Sequence, residues 1–399
     1  MAQESKVEQS NRKRYLFFMS LFILIFILLY GGLHTYMFVK AKAAFSFGTW
    51  SSIGVSLFLL LMLFAPILVR IFEKPGWEWL GTPLAYVGYT WMGFIVLFFF
   101  SSIVIDLLRL LVNLGGLIGK RDVSGLTHLP LVYFLIPFSL STIITIYGYF
   151  EAWNIRTETF TIKTPKISAE VGRLKIVQIS DIHLGVMVGE KKLENILEKV
   201  RKENPDILVS TGDLVDGEMY NLSGLIKLFQ EINPRYGKFA ITGNHEFFAG
   251  ITKALKFTQD AGFTMLRGER HIIPGIIDIV GVDDPAGRSF DHSKRESEKD
   301  LLSPLPKDQF ILYLKHRPLV DKEAIGLFDL QLSGHAHKGQ IFPFSLVTKL
   351  VYPTDEGGLI LPHNSILYVS RGAGTWGPPI RFLAPPDIVV IELMHQDSN

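Results

Sequence analysis

The chain has 399 residues, 48% of them hydrophobic and 20% charged, with a formal net charge of +2 and no cysteine. The missing thiol excludes disulfides, cysteine nucleophiles and cysteine-held zinc, so any metal must be held by His, Asp, Glu or Asn. The balanced charge gives no footing for nucleic acid. The hydrophobic excess is gathered in the first 150 positions, which leaves a globular remainder long enough for one domain with a full core.

Four stretches lack Asp, Glu, Lys and Arg: Tyr15 to Val39, Ala43 to Val69, Trp79 to Ile105 and Val123 to Phe150. Each exceeds the roughly 20 residues needed to cross a hydrocarbon core. A cleaved signal peptide does not account for the first, whose apolar run is too long and has no small-residue cleavage site. Residues 1–150 therefore read as a four-helix transmembrane region. An even number of spans puts both termini on one side. That side carries nine Lys and Arg near the span ends (Lys6, Arg12, Lys13, Arg14, Arg70, Lys74, Arg156, Lys163, Lys166) against five on the other (Lys40, Lys42, Arg109, Lys120, Arg121). This bias predicts a cytoplasmic membrane protein with its C-terminal domain in the cytoplasm. Within the spans His34 and the pair Asp106 and Arg109 stand out. The pair is spaced so that the two can neutralise each other at a helix end, which favours a structural role over transport.

Residues 151–173 read as a linker with one incoming strand, alternating over Thr157 to Lys163, and residues 174–399 as the catalytic domain. The run Leu174 to Ile179 is a buried strand ending in SDIHLG. Leu193, Ile196, Leu197 and Val200 recur at helical spacing up to the stop at Asn204-Pro205. Strand Asp206 to Ser210 ends in TGDLVDG, a helix spans about Leu222 to Ile232, and strand Lys238 to Ile241 ends in TGNHE. A helix follows over about Thr252 to Ala261. Later strands are Ile276 to Val282, Phe310 to Lys315 (into KHRP), Phe328 to Leu332 (into SGHAH), Ile366 to Val369 and Asp387 to Leu393. Strand, polar loop and helix repeat, so the fold class is α/β: a two-layer β-sandwich flanked by helices, with polar loops gathered at strand C-terminal ends.

Just past those strands stand Asp181 and His183; Asp213 and Asp216; Asn244 and His245; His316; His335 and His337. Carboxylate, amide and imidazole groups suit borderline divalent ions such as Mn, Fe, Zn or Co. At a strand ending, residues i and i+2 face the same way, so Asp181 with His183, and His335 with His337, can each converge on a metal cluster. Gly212, Gly243 and Gly334 precede a ligand-type residue and let the backbone turn sharply there. Taken singly each motif is weak; five in fixed order at strand ends point to a centre of two divalent metal ions.

The series SDIHLG, GDLVDG, GNHE, KHRP and SGHAHKGQ resembles the calcineurin-like metallophosphoesterase superfamily. The closing VSRGAGTWGPPIRF, with GVDDP at 281–285, is similar to a membrane-tethered bacterial branch that includes the UDP-2,3-diacylglucosamine diphosphatases of lipid A synthesis. The resemblance implies one metal on Asp181, His183 and His337, a second on Asn244, His316 and His335, and Asp213 bridging them. It further implies that His245 acts at the leaving oxygen and that Asp216 orients it. Protein serine/threonine phosphatases follow the last Asp of the second motif with Arg, whereas Gly217 follows Asp216 here, which argues against that activity. Lys338, at a position where Gly is frequent, is a candidate contact for substrate phosphate.

The segment 341–353 (IFPFSLVTKLVYP) reads equally as buried core or as a membrane-dipping loop. The four spans favour a lipid-linked phosphodiester or pyrophosphate substrate. The alternatives are a phosphodiesterase or phosphomonoesterase on soluble nucleotides, with the spans as anchor, and a transport or sensor module with a regulatory phosphoesterase fold. The expected partners are the lipid bilayer and the phosphorylated substrate.

Overall fold

The computed structural model describes residues 2–74, 76–217, 222–289 and 297–397, in two compact units: Met1–Phe72 with Pro83–Thr145, and Glu73–Thr82 with Ile146–Asn399. The N-terminal helices are α1 (Ala2–Phe45), α2 (Thr49–Phe72), α3 (Glu78–Ile118), the single turn α4 (Ser124–Thr127) and α5 (Pro130–Glu151). All but α4 are long and apolar enough to cross a membrane. The third helix runs well past the expected end at Ile105, because Leu107, Leu108, Leu110 and Leu111 continue an unbroken helix-forming sequence beyond Asp106. The fourth long helix starts at Pro130 rather than near Val123, since proline is pre-set for the first helical position.

Asp106 and Arg109 do not pair with each other. Asp106 accepts from the Tyr36 hydroxyl at 2.6 Å and from Lys40 Nζ at 2.8 Å, while Arg109 lies over the Tyr133 ring at 5.0 Å. In an apolar helix packing the partners across the interface win over the neighbour one turn away. His34 is satisfied on both nitrogens, donating from Nδ1 to Tyr30 O at 2.7 Å and accepting from Trp91 Nε1 at 3.0 Å. That is a packing role.

The second unit carries two six-stranded sheets. In chain order the elements are β1 (Arg156–Thr164), β2 (Arg173–Ile179), α6 (Glu190–Glu203), β3 (Ile207–Ser210), α7 (Leu222–Gln230), β4 (Lys238–Ala240), α8 (Asn244–Asp260) and β5 (Thr264–Met265). There follow β6 (Glu269–Ile273), β7 (Ile277–Gly281), α9 (Glu298–Leu302), β8 (Ile311–Leu314), β9 (Leu330–Ser333), α10 (Phe344–Val351), β10 (Gly357–Ile360), β11 (Ile366–Val369) and β12 (Asp387–His395). One sheet has the order β1-β12-β2-β3-β4-β5 and the other β10-β11-β9-β8-β7-β6. In the first, β2 to β5 run parallel; in the second, β7, β8, β9 and β11 do. The fold is the expected two-layer α/β sandwich.

Alternation along the strands builds both cores. Leu174 and Ile176 of β2 join Ile207, Val209, Ile279, Leu312 and Leu332 between the sheets, whereas Val177 and Ile179 pack outward against Leu193, Ile196, Leu197 and Val200 of α6. Helix α6 ends at Asn204 in a left-handed conformation just before Pro205, which cannot extend it. Residues 341–353 contribute little to either core, since α10 contains no buried residue.

Lys192 on α6 is buried, with Nζ 3.4 Å from the Thr375 hydroxyl. Burial, reinforced by the charge of Arg381, pulls its pKa from 10.5 down to about 7. Between those values the unfolded chain holds more protons than the folded one, so stability rises with pH across that window and the full penalty is felt below it. Lys192→Met should therefore stabilise the protein by on the order of a few kcal/mol at pH 7, with the gain shrinking towards pH 10. Unfolding midpoints of both proteins at pH 7 and pH 9.5 measure this; an equal gain at both pH values would contradict it.

Candidate metal centre

The parallel strands deliver their C-terminal ends to one edge of the sandwich, and the residues that the motifs single out follow those ends, on loops or at the start of a helix. Asp181 and His183 follow β2, Asp213 follows β3, Asn244 and His245 open α8 after β4, His316 follows β8, and His335 and His337 follow β9. Five of these take left-handed backbone conformations: Asp181 (φ 53°), His183 (φ 56°), Asp213 (φ 50°), His335 (φ 68°) and His337 (φ 47°). A non-glycine residue there costs on the order of 1 kcal/mol or more and persists only where the surroundings hold it. Here the bend is what turns successive side chains inward.

Three adjoining groups of ligand atoms result, each within 4.8 Å: Asp181, His183 and His337; His183, Asp213 and His245; Asp213, His316 and His335. His183 Nε2 and His337 Nε2 are 3.0 Å apart, His337 Nε2 is 3.3 Å from Asp181 Oδ1, and His316 Nε2 is 3.2 Å from Asp213 Oδ2. His335 Nδ1 lies 3.1 Å from His316 Nε2. Asp213 is the residue that the second and third groups share. Asn244 Oδ1 is buried without a hydrogen-bond partner, as is His183 Nδ1.

These features fit metal ions. Asp181 and Asp213 are 0% and 2% exposed, and among the described residues no Lys or Arg forms an ion pair with either. Their compensation comes from backbone N–H groups, of His335 to Asp181 at 3.0 Å and of His245 to Asp213 at 2.8 Å, and from imidazoles. Space is reserved as well: a Cβ on Gly243 would overlap Asp213 Oδ1, and one on Gly334 would overlap Ser180 Oγ and Asp181 Oδ2. Buried carboxylates, converging imidazole nitrogens and an orphaned amide oxygen are the donor set of borderline divalent ions.

Electrostatics separate the imidazoles into two kinds. Burial, with the nearby His245, pulls His183 down to about 3, and burial with the His316 charge pulls His335 down to about 4, so both are neutral and ready to donate a lone pair. Burial also works against a charge on His316, but Asp213 overcomes it and raises His316 to about 10. Asp213 itself, despite burial, is held well below the carboxylate range by His316, His245 and His183. The site favours positive charge beside Asp213. His245 is raised, its burial outweighed by the hydrogen bond from Nδ1 to Asp216 and the charge of Asp213.

Several supporting residues escaped the sequence reading. Asn244 and His245 begin a helix rather than sit in a loop before one: α8 starts at Asn244, with a kink at Gly250. The cause is Glu246, whose buried carboxylate accepts from the N–H groups of Gly243 (2.7 Å), Asp213 (3.1 Å), Leu214 (2.6 Å) and Val215 (3.2 Å). It caps the helix and clamps the loop that carries Asp213. Glycine followed three places on by Glu was the legible signal. Behind Asp181, Gln178 donates to Thr211 Oγ1 and Thr211 to Ser180 Oγ, both at 2.8 Å, and Ser180 donates to Asp181.

At the rim, Arg317 follows His316 and is pinned to the buried Asp284 through Nε (2.7 Å) and Nη2 (3.0 Å), with about a third of its side chain exposed. Arg381 is fully buried. Its Nη2 lies 3.0 Å from His337 Nδ1, and its other N–H groups donate to the carbonyls of His337, Arg371, Gly372 and Gly374. Lys338 is taken up by Glu356 at 2.6 Å.

A family model described as calcineurin-like phosphoesterase matches residues 174–339. An uncharacterized metallophosphoesterase of Aquifex aeolicus is 38% identical over 255 residues, which cover 64% of this chain and 97% of that one. A second, of Campylobacter jejuni, is 30% identical over 398 residues and covers 94% and 98% of the two chains. A zebrafish protein named as a transmembrane protein with metallophosphoesterase domain is 27% identical over 64% of this chain and 61% of its own length.

Glu246→Gln places an NH2 group among four N–H donors. We expect metal content and phosphoesterase activity to fall by about 10- to 100-fold, read by elemental analysis of the purified protein alongside turnover. Unchanged metal content would remove Glu246 from the architecture of the centre.

Proposed function

This chain belongs to the calcineurin-like metallophosphoesterase family, metal-dependent phosphoesterases built on a dimetal centre, and from that premise we propose a membrane-bound phosphohydrolase that cleaves a phosphodiester or pyrophosphate bond of a lipid-linked substrate. The observation that carries it is the convergence of two ligand groups on Asp213 at one sheet edge, in a chain with four helices fit to span a bilayer. In this reading Asp181, His183 and His337 would hold one divalent ion and Asn244, His316 and His335 the other, with Asp213 shared between the two sets. The metal is Mn, Fe, Zn or Co, a choice these ligands leave open.

Bound there, two divalent ions supply Lewis acidity and a water acidic enough to ionise near neutral pH. The chain's own residues do the rest. His245, with Nδ1 fixed by Asp216 and its pKa raised chiefly by that bond against its burial, keeps a proton on Nε2 for the departing oxygen. Arg317, fixed by Asp284, presents a cation to a non-bridging phosphate oxygen. With Lys338 paired to Glu356, Arg317 is the better candidate for that contact.

The lipid-linked reading rests on the spans and on the exposed apolar helix after the last ligand loop. UDP-2,3-diacylglucosamine, of the lipid A pathway, is the specific candidate that the closing motif suggests. The Lys and Arg bias supports a reaction on the cytoplasmic face. Hydrolysis of soluble nucleotides, with the spans as anchor, is the competing reading.

Full-length protein loaded with Mn should hydrolyse bis(p-nitrophenyl) phosphate, lose activity on chelation and regain it on metal return. Asp213→Ala should cost more than the roughly 100-fold typical of an outer partner, and full turnover by that variant would end the dimetal reading. A panel of UDP-2,3-diacylglucosamine, other lipid-linked pyrophosphates and soluble nucleotides, with and without detergent-solubilised lipid, separates the two substrate classes. Preference for soluble nucleotides would favour the anchor reading.

A further inference from the structure

Helix α10 is a two-turn helix in which Phe344, Leu346, Val347, Leu350 and Val351 are 41%, 55%, 56%, 87% and 59% exposed. Each large apolar side chain left in water forfeits up to about 1.5–3 kcal/mol of burial, and a contiguous face of five marks an interaction surface. The helix is nevertheless firmly placed. Thr348 donates to the buried Asp355 at 2.7 Å, and Ile341, just before it, is buried and bridges to Phe382.

The loop at that bridge identifies what lies against the helix. Arg381 N donates to Gly148 O at 2.9 Å, and the rings of Phe382 and Tyr147 meet edge to face at 6.4 Å. Gly148 and Tyr147 are in the last turn of α5, a candidate span that ends at Glu151. The apolar helix is thus tied through one loop to the end of a helix long and apolar enough to cross a bilayer. Exposed Phe150 and Leu383 (67% and 57%) extend the same apolar character around that point.

We propose that α10 lies in the interfacial plane of the bilayer, with Leu346, Val347 and Leu350 among the lipid chains and Lys349 at headgroup level, and that it hands lipid substrate to the metal centre. The occupant is lipid rather than a partner protein because the end of α5 fixes the bilayer boundary at this loop. An amphipathic segment with an apolar face and a terminal lysine is built for that position. The path onward is short in sequence and in space. Gln340, four residues before α10, holds Trp376 on both sides, accepting from its N–H at 2.9 Å and donating to its carbonyl at 3.0 Å. Trp376 is 53% exposed, and its ring meets His245 at 5.5 Å. A lipid whose phosphate directly adjoins its apolar tail would lie with the tail along α10 and Trp376 and the phosphate at His245. The position of α10 stands on geometry alone, whereas substrate delivery rests on the phosphohydrolase reading above.

The chain has no cysteine, so single probes are easily placed. Full-length Leu350→Cys and, as an aqueous control, Lys256→Cys on α8, are spin-labelled in phosphatidylethanolamine/phosphatidylglycerol nanodiscs, and collision with oxygen is compared with collision with a nickel chelate. We expect oxygen to dominate at position 350 and nickel at 256. Nickel dominance at both, or shielding of position 350 from both reagents by a protein partner, would overturn the bilayer position. In proteoliposomes, the double variant Val347→Asp with Leu350→Asp should lose at least about tenfold in turnover of a lipid-anchored phosphodiester while cleaving bis(p-nitrophenyl) phosphate within about twofold of the parent. Equal loss on both substrates, or none on either, overturns delivery. If the parent cleaves neither, the phosphohydrolase reading fails and delivery with it, and the spin-label ratio still decides where α10 lies.

Discussion

The structure depends on keeping two carboxylates, Asp181 and Asp213, buried together at one edge of an apolar sandwich. A buried charge without compensation costs several kcal/mol, and here the compensation is assembled from backbone N–H groups and imidazoles drawn from the segments that follow β4, β8 and β9. The left-handed backbone at Asp181, His183, Asp213, His335 and His337 adds strain to that burden. What offsets both is the rigidity of the flanking strands: β3, β8 and β9 are buried at every position. The apolar runs in the sequence thus serve the site, because they give strained loops a frame that cannot relax. The sheets are most intolerant of change at their C-terminal edge, where Gly243 and Gly334 leave no room for a methyl group.

Much of this was legible because strand and ligand share one signal. A short branched apolar run followed by Asp, Asn or His marks both the end of a strand and a residue delivered to the edge, so fold and site emerged from the same letters at β2, β3, β4, β8 and β9. The parts that stayed hidden involve partners far apart in sequence. Nothing near Asp106 announces Tyr36 and Lys40, and the nearby Arg109 was a plausible but wrong partner. Arg381 lies well beyond His337 in sequence and, read alone, looks like a surface cation, yet it is fully buried behind His337. Glu246 was a missed local signal: Asn244 stands out as a ligand and His245 as the group at the leaving oxygen, whereas the helix exists because Glu246 caps it.

Arg381 also joins two aspects of the protein that the sequence presents as separate halves. Its main-chain N–H donates to Gly148 O, in the last turn of the final apolar helix, and its guanidinium fills the space behind His337 with donors to five carbonyls. The last turn of α5 is therefore part of the catalytic unit rather than a tether to it. A flexible linker would let a phosphohydrolase sample a range of heights above a membrane, at an entropic cost each time it met a lipid phosphate. Here the end of α5 is instead hydrogen-bonded into the loop behind a proposed metal ligand. Leu350 and Trp376 are also left exposed, and the Trp376 ring meets that of His245. Both features follow if the phosphate to be cleaved is presented from the bilayer surface.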